Sequence, residues 1–216
     1  MPVTELSRLT LKDGLGEDQK NVVTWALARA KKLMEDFTGH DFHLYQETEN
    51  PNHIYIVGQW ESVEQHMNVW IPSEPNQGLL KDLVSFLEVD YLFHIDVSFG
   101  SIPPSEQAPM FSVGRHVMES EKRSAFESTF NKRRSGVEAY ALGPSSGGWR
   151  IEKEHGREEF VLFVPWKDVD QHMAFAKTKQ FQEYAEIRDH ILLDATEIRH
   201  AALMELPSPA TKDDAA

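Results

Sequence analysis

The sequence contains no cysteine, which excludes disulfide bonds, thiolate nucleophiles and zinc or iron–sulfur centres held by cysteine. It also lacks any apolar run near the roughly 20 residues that a bilayer span requires, and its N-terminus does not resemble a secretion signal. Basic residues are few, 22 against 35 acidic ones, and the net charge of −13 opposes binding to polyphosphates. We therefore expect a cytoplasmic protein that binds neither nucleic acid nor membrane.

Two similar octapeptides lie 106 residues apart in the chain: WESVEQHM at 60–67 and WKDVDQHM at 166–173. The same gap-free offset also pairs His94 with His200. A match that persists over about 35 residues predicts two copies of one module, not a chance coincidence.

A duplicated chain of 216 residues provides two modules of ordinary domain size. The Pro-rich polar segment after residue 99 cannot continue a helix or a strand, so it marks the boundary. The predicted units are module 1 at 1–99, a linker at 100–108, module 2 at 109–206 and a flexible tail at 207–216.

Periodicity and turn residues predict the order β-α-β-β-α-β in each module. In module 1 we expect strands at 5–12, 42–48, 53–60 and 91–98, a helix from Asp18 to Gly39, and a second helix that starts at Ser62 and resumes over 79–87. In module 2 we expect strands at 110–118, 148–153, 158–166 and 194–205, a helix at 120–134 ended by Gly136, and a helix at 168–190.

This order is ferredoxin-like, with four strands and two helices on one sheet face. The other face of each sheet still needs a cover, which two sheets in one chain can provide for each other. The predicted fold is therefore α+β, with two tandem ferredoxin-like modules forming an eight-stranded barrel within one chain.

The repeated octapeptide carries a helix-initiation signal as well as aromatic residues. Ser62 with Gln65, and Asp168 with Gln171, have the spacing of a capping box. Capping explains these repeated polar residues but leaves the repeated Trp and His without a reason.

A segment Trp-x-[Ser/Asp]-x-x-x-His after an apolar strand resembles the dimeric α+β-barrel superfamily, and most of all its antibiotic-biosynthesis-monooxygenase type. The resemblance covers roughly residues 4–99 and 109–205. Proteins of this superfamily include cofactor-free oxygenases of polyketide quinols and anthrones, small-molecule cyclases, haem-degrading enzymes and members without known activity. Because members are usually homodimers of one module, the resemblance implies a monomeric pseudo-dimer or a homodimer.

The haem-degrading branch carries a His late in its second helix. The corresponding stretches here, Leu79 to Lys81 and Glu183 to Ile187, contain none. The resemblance therefore argues against haem degradation.

His66 and His172 are the candidate catalytic residues. Each lies near the first turn of a helix, close to where Trp60 or Trp166 leaves the sheet. A helix N-terminus disfavours protonation of a nearby imidazole, so either His could serve as a neutral general base. The alternative is that these His and Trp side chains only pack the helix start against the sheet.

The candidate substrate-binding residues are Trp60, Trp166, His94, His200 and Tyr55. His94 and His200 occupy the last strand of each module, where a His either finds a partner in the core or faces a cavity. Four His in two pairs also raise the possibility of a metal site. No two of these four His are close in sequence, as tight ligand spacing requires, and no dinucleotide or phosphate-loop motif is present, so we expect neither metal nor cofactor.

These residues and the resemblance together predict a tailoring enzyme for a small aromatic or polyketide-like molecule, acting as a cofactor-independent monooxygenase with a His base. A non-oxidative cyclase or dehydratase begins with the same proton abstraction and remains an alternative. A non-catalytic protein that binds a small hydrophobic ligand is a second alternative, because fold does not determine function.

Overall fold

The computed structural model describes residues 1–102, 108–154 and 156–208. Its eight strands are β1 Val3–Leu11, β2 Phe42–Glu47, β3 His53–Trp60, β4 Leu87–Ile95, β5 Met110–Glu119, β6 Ser146–Trp149, β7 Arg157–Trp166 and β8 Glu197–Leu203. Its α-helices are α1 Glu17–Thr38, α2 Glu74–Leu83, α3 Arg123–Glu138, α4 Val169–Phe175 and α5 Lys179–Tyr184, and a π-helical turn spans Gln65–Trp70. Most of the predicted linker (103–107) and tail (209–216) lies outside the described residues.

The strands form one antiparallel sheet in the order β4-β1-β3-β2-β8-β5-β7-β6. Each half of the chain therefore has the ferredoxin-like order, and β2 joins the halves by pairing with β8. The sheet closes where β4 meets the residues after β6, through the bridge Ile95↔Arg150 and a hydrogen bond from the Ile151 N–H to the His94 carbonyl of 2.8 Å. The predicted α+β barrel within one chain is confirmed. We call the two junctions the β2–β8 seam and the β4–β6 seam.

Alternation along the strands separates two apolar layers. One set of side chains fills the barrel interior, where Leu6, Tyr55 and Phe93 belong to a single buried cluster. The opposite face of the sheet packs against the helices, where Ile56 of β3 and Leu27 of α1 belong to one buried cluster. None of the described helices is long and apolar enough to cross a membrane.

Gly58 of β3 lets an aromatic ring lie against the strand. It pairs with Phe42 of β2, and a Cβ atom at residue 58 would lie 2.0 Å from the Phe42 ring. That ring in turn contacts Trp60 edge-on, with 5.3 Å between ring centroids. The small residue thus allows the aromatic packing that holds Trp60.

Two of the helix predictions for module 2 are wrong. The expected helix 168–190 is divided, because the Thr178 hydroxyl accepts a hydrogen bond from the Phe181 N–H at 3.1 Å and starts a new helix, α5. Gly136 does not end α3, which continues to Glu138, so this glycine lies inside the helix.

Strand boundaries also differ from the predictions, most of all in three strands. β4 begins at Leu87, where the helical pattern was expected to continue, and β8 begins at Glu197 instead of residue 194. β6 spans Ser146–Trp149, earlier than the predicted 148–153. In each case the strand begins and ends where it pairs with a neighbouring strand. Local sequence periodicity carries no information about that pairing.

Candidate functional site

Each repeated Trp lies at the end of a strand and stacks on the repeated His of the segment that follows. The rings of Trp60 and His66 are 4.0 Å apart between centroids and nearly parallel, at 5°. Trp166 and His172 repeat the arrangement at 4.4 Å and 10°. The repeated octapeptide thus forms the same Trp–His stack in both halves of the chain.

Helix caps place each His over its indole. The Ser62 hydroxyl accepts a hydrogen bond from the Gln65 N–H at 3.1 Å, and the Asp168 carboxylate accepts one from the Gln171 N–H at 2.7 Å. Both caps turn the chain within a few residues of the strand end. In module 1 the turn that follows is π-helical, with the Ile71 N–H bonded to the His66 carbonyl, a geometry often found at functional sites.

His66 is the first residue of a chain of hydrogen bonds that crosses the β4–β6 seam. His66 Nδ1 lies 2.8 Å from His94 Nε2, and His94 Nδ1 lies 2.5 Å from Glu152 Oε1. The His94 backbone N–H also donates to Glu152 Oε2 at 2.9 Å. We call these three residues the module 1 relay.

The same arrangement occurs at the β2–β8 seam. His172 Nδ1 lies 2.7 Å from His200 Nε2, and His200 bonds Glu49 through both Nδ1 and its backbone N–H. We call His172, His200 and Glu49 the module 2 relay. In each relay the carboxylate comes from the opposite module, so each depends on closure of the barrel.

The carboxylate fixes the protons of the module 1 relay. An ionised Glu152 can only accept, so His94 carries its proton on Nδ1 and offers the lone pair of Nε2. His66 then donates its Nδ1 proton to His94, and its own Nε2 is left with a free lone pair. A lone pair at His66 Nε2 is what a general base requires.

Burial and hydrogen bonding favour these protonation states. Burial lowers the pKa of His66 below its ordinary value, against the opposing attraction of the Glu5 carboxylate. Burial and the neighbouring His200 lower the pKa of His172 to about 4. Burial alone would raise the pKa of Glu152, but the side-chain and backbone N–H groups of His94 hold it below its ordinary value. Near pH 7 the imidazoles of His66 and His172 are therefore neutral and the Glu152 carboxylate is charged.

His66 lines a cavity of about 640 Å³ between the sheet and helices α1 and α2. We call it the module 1 cavity. Most of its wall is apolar and includes Leu9, Leu27, Met34, Ile56, Leu79 and Leu83. Glu5 and Ser7 lie beside His66 at its inner end, and the partly exposed Lys12 and the exposed Glu88 lie at its outer edge.

The corresponding cavity of module 2 is smaller, about 130 Å³. Its lining includes both Trp166 and His172, together with Ser112 and His116. A cavity of this size is comparable to one that holds a single benzene ring. The two halves therefore repeat the relay but not the space in front of it.

Of the predicted site residues, His66, His172 and Trp166 border a cavity. Trp60, His94 and His200 are buried behind or beside the cavity-facing imidazoles, where they position His66 and His172. Tyr55 is elsewhere: it faces the barrel interior, and its hydroxyl donates to Glu47 at 2.7 Å.

Three carboxylates at these sites are absent from the sequence predictions. Glu49 and Glu152 occupy equivalent places in the two relays. They are 103 residues apart in the sequence, so a gap-free alignment of the two halves at an offset of 106 residues does not pair them. Glu5 accepts hydrogen bonds from the Trp60 indole at 2.8 Å and from the Ser7 hydroxyl at 2.9 Å. A polar residue alternating with apolar ones on β1 is the one sequence signal that could have indicated Glu5.

The described part of the chain contains no group of three or more His, Cys, Asp or Glu side chains arranged to hold a metal ion. The residues of each relay instead form hydrogen bonds with one another. In each relay the cavity-facing His keeps its Nε2 outside this chain of hydrogen bonds.

No family model matches this sequence, and no curated protein matches it. Solved structures do resemble it along nearly its whole length. A predicted monooxygenase from Fusobacterium nucleatum is 15% identical, with 95% of this chain and 93% of that chain covered and a TM-score of 0.64. An anthrone oxidase-like protein is 9% identical, with coverages of 97% and 94% and a TM-score of 0.61. DyPB from Rhodococcus jostii is 8% identical, with coverages of 93% and 92% and a TM-score of 0.58.

At such low identity these similarities establish the fold. The chain adopts an α+β-barrel fold in which both halves of the barrel belong to one polypeptide.

Proposed function

We propose that this protein is a small-molecule tailoring enzyme, a cofactor-independent monooxygenase whose general base is His66. The substrate is an uncharged aromatic or polyketide-like molecule held in the module 1 cavity. The observation that carries the proposal is the relay, which ends in a neutral imidazole whose free Nε2 borders a largely apolar cavity.

The size and lining of the cavity support an aromatic substrate. Ligand sites are usually apolar clefts of some 300 to 1,000 Å³ with a few polar groups that fix orientation. The module 1 cavity, at about 640 Å³, lies within that range and places its polar groups around His66. Several fused rings fit the space, with the acidic C–H or O–H group directed at Nε2.

The reaction can be written for an anthrone. His66 Nε2 removes a proton from the ring CH₂ group, and the resulting carbanion passes one electron to dioxygen. The radical pair combines to a peroxide anion, which takes the proton back from His66. Loss of water converts the CHOOH group to a carbonyl, so that CH₂ and O₂ give C=O and H₂O.

The relay assists the proton transfer in both directions. When His66 accepts a proton, the positive charge is stabilised through His94 by the Glu152 carboxylate. The indole of Trp60 holds the imidazole plane by stacking, so Nε2 keeps its direction. The module 2 relay supplies His172 as an equivalent base, in front of a smaller cavity.

Structural similarity to a predicted monooxygenase and to an anthrone oxidase-like protein agrees with this chemistry. That agreement is one of fold, whereas the chemistry depends on the residues of the module 1 relay and its cavity.

Anthrone turnover, followed by oxygen uptake and by anthraquinone formation, tests the proposal. We expect His66→Ala to lower turnover about a hundredfold or more, the usual scale for loss of a general base, with folding retained. His172→Ala is the matched control and should retain most of the turnover. Unchanged turnover in His66→Ala would refute the assignment of the base.

The same assay separates the two alternative functions. Turnover that continues without dioxygen, and gives a ring-closed or dehydrated product, would identify a non-oxidative cyclase or dehydratase. Binding without turnover and without exchange of the acidic proton would identify a ligand-binding protein.

A further inference from the structure

The two relays differ in the residue that shares a hydrogen bond with the indole. The Trp60 indole N–H donates to the Glu5 carboxylate at 2.8 Å, whereas the Trp166 indole N–H donates to the Ser112 hydroxyl at 2.9 Å. Glu5 and Ser112 are equivalent, since each lies two residues beyond the partner of that Trp on the neighbouring strand. Only module 1 therefore places an acidic side chain at this position.

Glu5 is placed where a ligand of His66 would touch it. Its Oε2 atom lies 3.8 Å from His66 Nε2, and both residues line the module 1 cavity. Glu5 is only 2% exposed, so water screens its charge poorly. A ligand group that reaches Nε2 also comes within a few ångströms of the Glu5 carboxylate.

The other charges of the cavity do not neutralise Glu5. Among the described residues that line it, the one lysine, Lys12, lies at the outer edge, 3.9 Å from Glu88, and donates to the Val84 carbonyl at 2.9 Å. The donors to Glu5 are the neutral groups of Trp60 and Ser7. The inner end of the cavity therefore repels anions and accepts hydrogen bonds.

We propose that Glu5 is a specificity-determining residue of the module 1 site. It accepts a hydrogen bond from an uncharged hydroxyl group placed beside His66 Nε2, and it excludes ligands that bring a carboxylate to the same place. This inference rests on the proposed function, because it assumes that a ligand occupies the module 1 cavity. Module 2, with Ser112 at the equivalent position, lacks this discrimination.

Two fluorescent probes with the same three fused rings test the inference: 2-anthrol, which is uncharged at pH 7, and anthracene-2-carboxylate. Both exceed the single-ring size of the module 2 cavity. Dissociation constants are measured by fluorescence titration at 0.15 M salt for the wild type and for Glu5→Gln. Glu17→Gln is the matched control, since Glu17 is 84% exposed on α1 and the substitution removes the same charge.

We expect the wild type to bind 2-anthrol at least tenfold more tightly than anthracene-2-carboxylate. Glu5→Gln should reduce that preference at least tenfold, mainly by tighter binding of the carboxylate, and Glu17→Gln should leave it unchanged. Glu5→Ser, which copies module 2 and retains an acceptor for the indole, should behave like Glu5→Gln and replaces it if Glu5→Gln does not fold.

Equal binding of the two probes by the wild type, or the same preference in both Glu5 variants, would overturn the role of Glu5. In that case, loss of turnover in His66→Ala would still support the proposed function. Failure of both probes to bind the wild type would overturn the inference and the proposed function together.

Discussion

The substitution Glu152→Gln should reverse the protons of the module 1 relay without removing its hydrogen bonds. A glutamine amide can accept from the His94 backbone N–H through its oxygen, and it then presents its NH₂ group to His94 Nδ1. His94 must move its proton to Nε2 and donate to His66 Nδ1. His66 then carries its proton on Nε2, so the lone pair facing the cavity is lost.

Glu152→Gln should have two separate effects, one on the reaction rate and one on stability. Loss of the base should lower the rate of proton abstraction by about 10² to 10⁴. A hydrogen bond to a charged group contributes roughly 1.5 to 3 kcal/mol to stability. The Glu152 side chain is 34% exposed, and because solvent screens its charge, its contribution should lie at the lower end of that range. We therefore expect the free energy of unfolding to fall by about 1 to 2 kcal/mol.

Exchange of the anthrone CH₂ protons with D₂O, followed by NMR under nitrogen, measures proton abstraction without the oxygen step. Chemical denaturation of the same samples measures stability. Glu49→Gln is the matched control, because it breaks the equivalent bonds at the β2–β8 seam but leaves the His66 site intact. If Glu152→Gln and Glu49→Gln lose similar stability and exchange anthrone at the wild-type rate, the relay has no part in catalysis.

Two further predictions concern stability. Gly58→Ala should cost about 3 kcal/mol or more, because its Cβ atom would lie 2.0 Å from the Phe42 ring, and a melting temperature near that of the wild type would contradict the packing. Burial lowers the pKa of His116 to about 4, against 6.5 in the unfolded chain, so the unfolded state binds the extra proton as the pH falls. This group should therefore lower stability by up to about 3 kcal/mol between pH 6.5 and pH 4. His116→Leu, which copies Leu9 of module 1, should weaken that acid destabilisation in denaturation curves, and an unchanged pH dependence would refute the assignment.

The architecture could be predicted from the sequence because its signals are local or repeated. Alternating strands, helical stripes and capping residues follow from backbone physics within short windows. The gap-free repeat then indicated that two equal sheets could cover each other. The division of the helix after residue 168 was missed, since Thr178 competes as a new cap within a pattern that otherwise continues.

The sequence predicts the Trp and His residues of the candidate site but not its carboxylates. The repeat identified Trp60, His66 and their counterparts, because these residues share a segment. The carboxylates that complete the relays come from the opposite module and meet their His only when the barrel closes. Glu49 and His200, for instance, are separated by 151 residues, and no local pattern reports such a contact.

The proposed catalysis requires that the Glu152 carboxylate leaves a free lone pair on His66 Nε2. Nitrogen-15 NMR of histidine-labelled protein at pH 7, with His66→Ala used for assignment, measures the protonation of both ring nitrogens directly. In the wild type His66 should have an unprotonated Nε2 and a protonated Nδ1, and in Glu152→Gln the reverse. A wild-type spectrum in which His66 Nε2 carries a proton at pH 7 would contradict it.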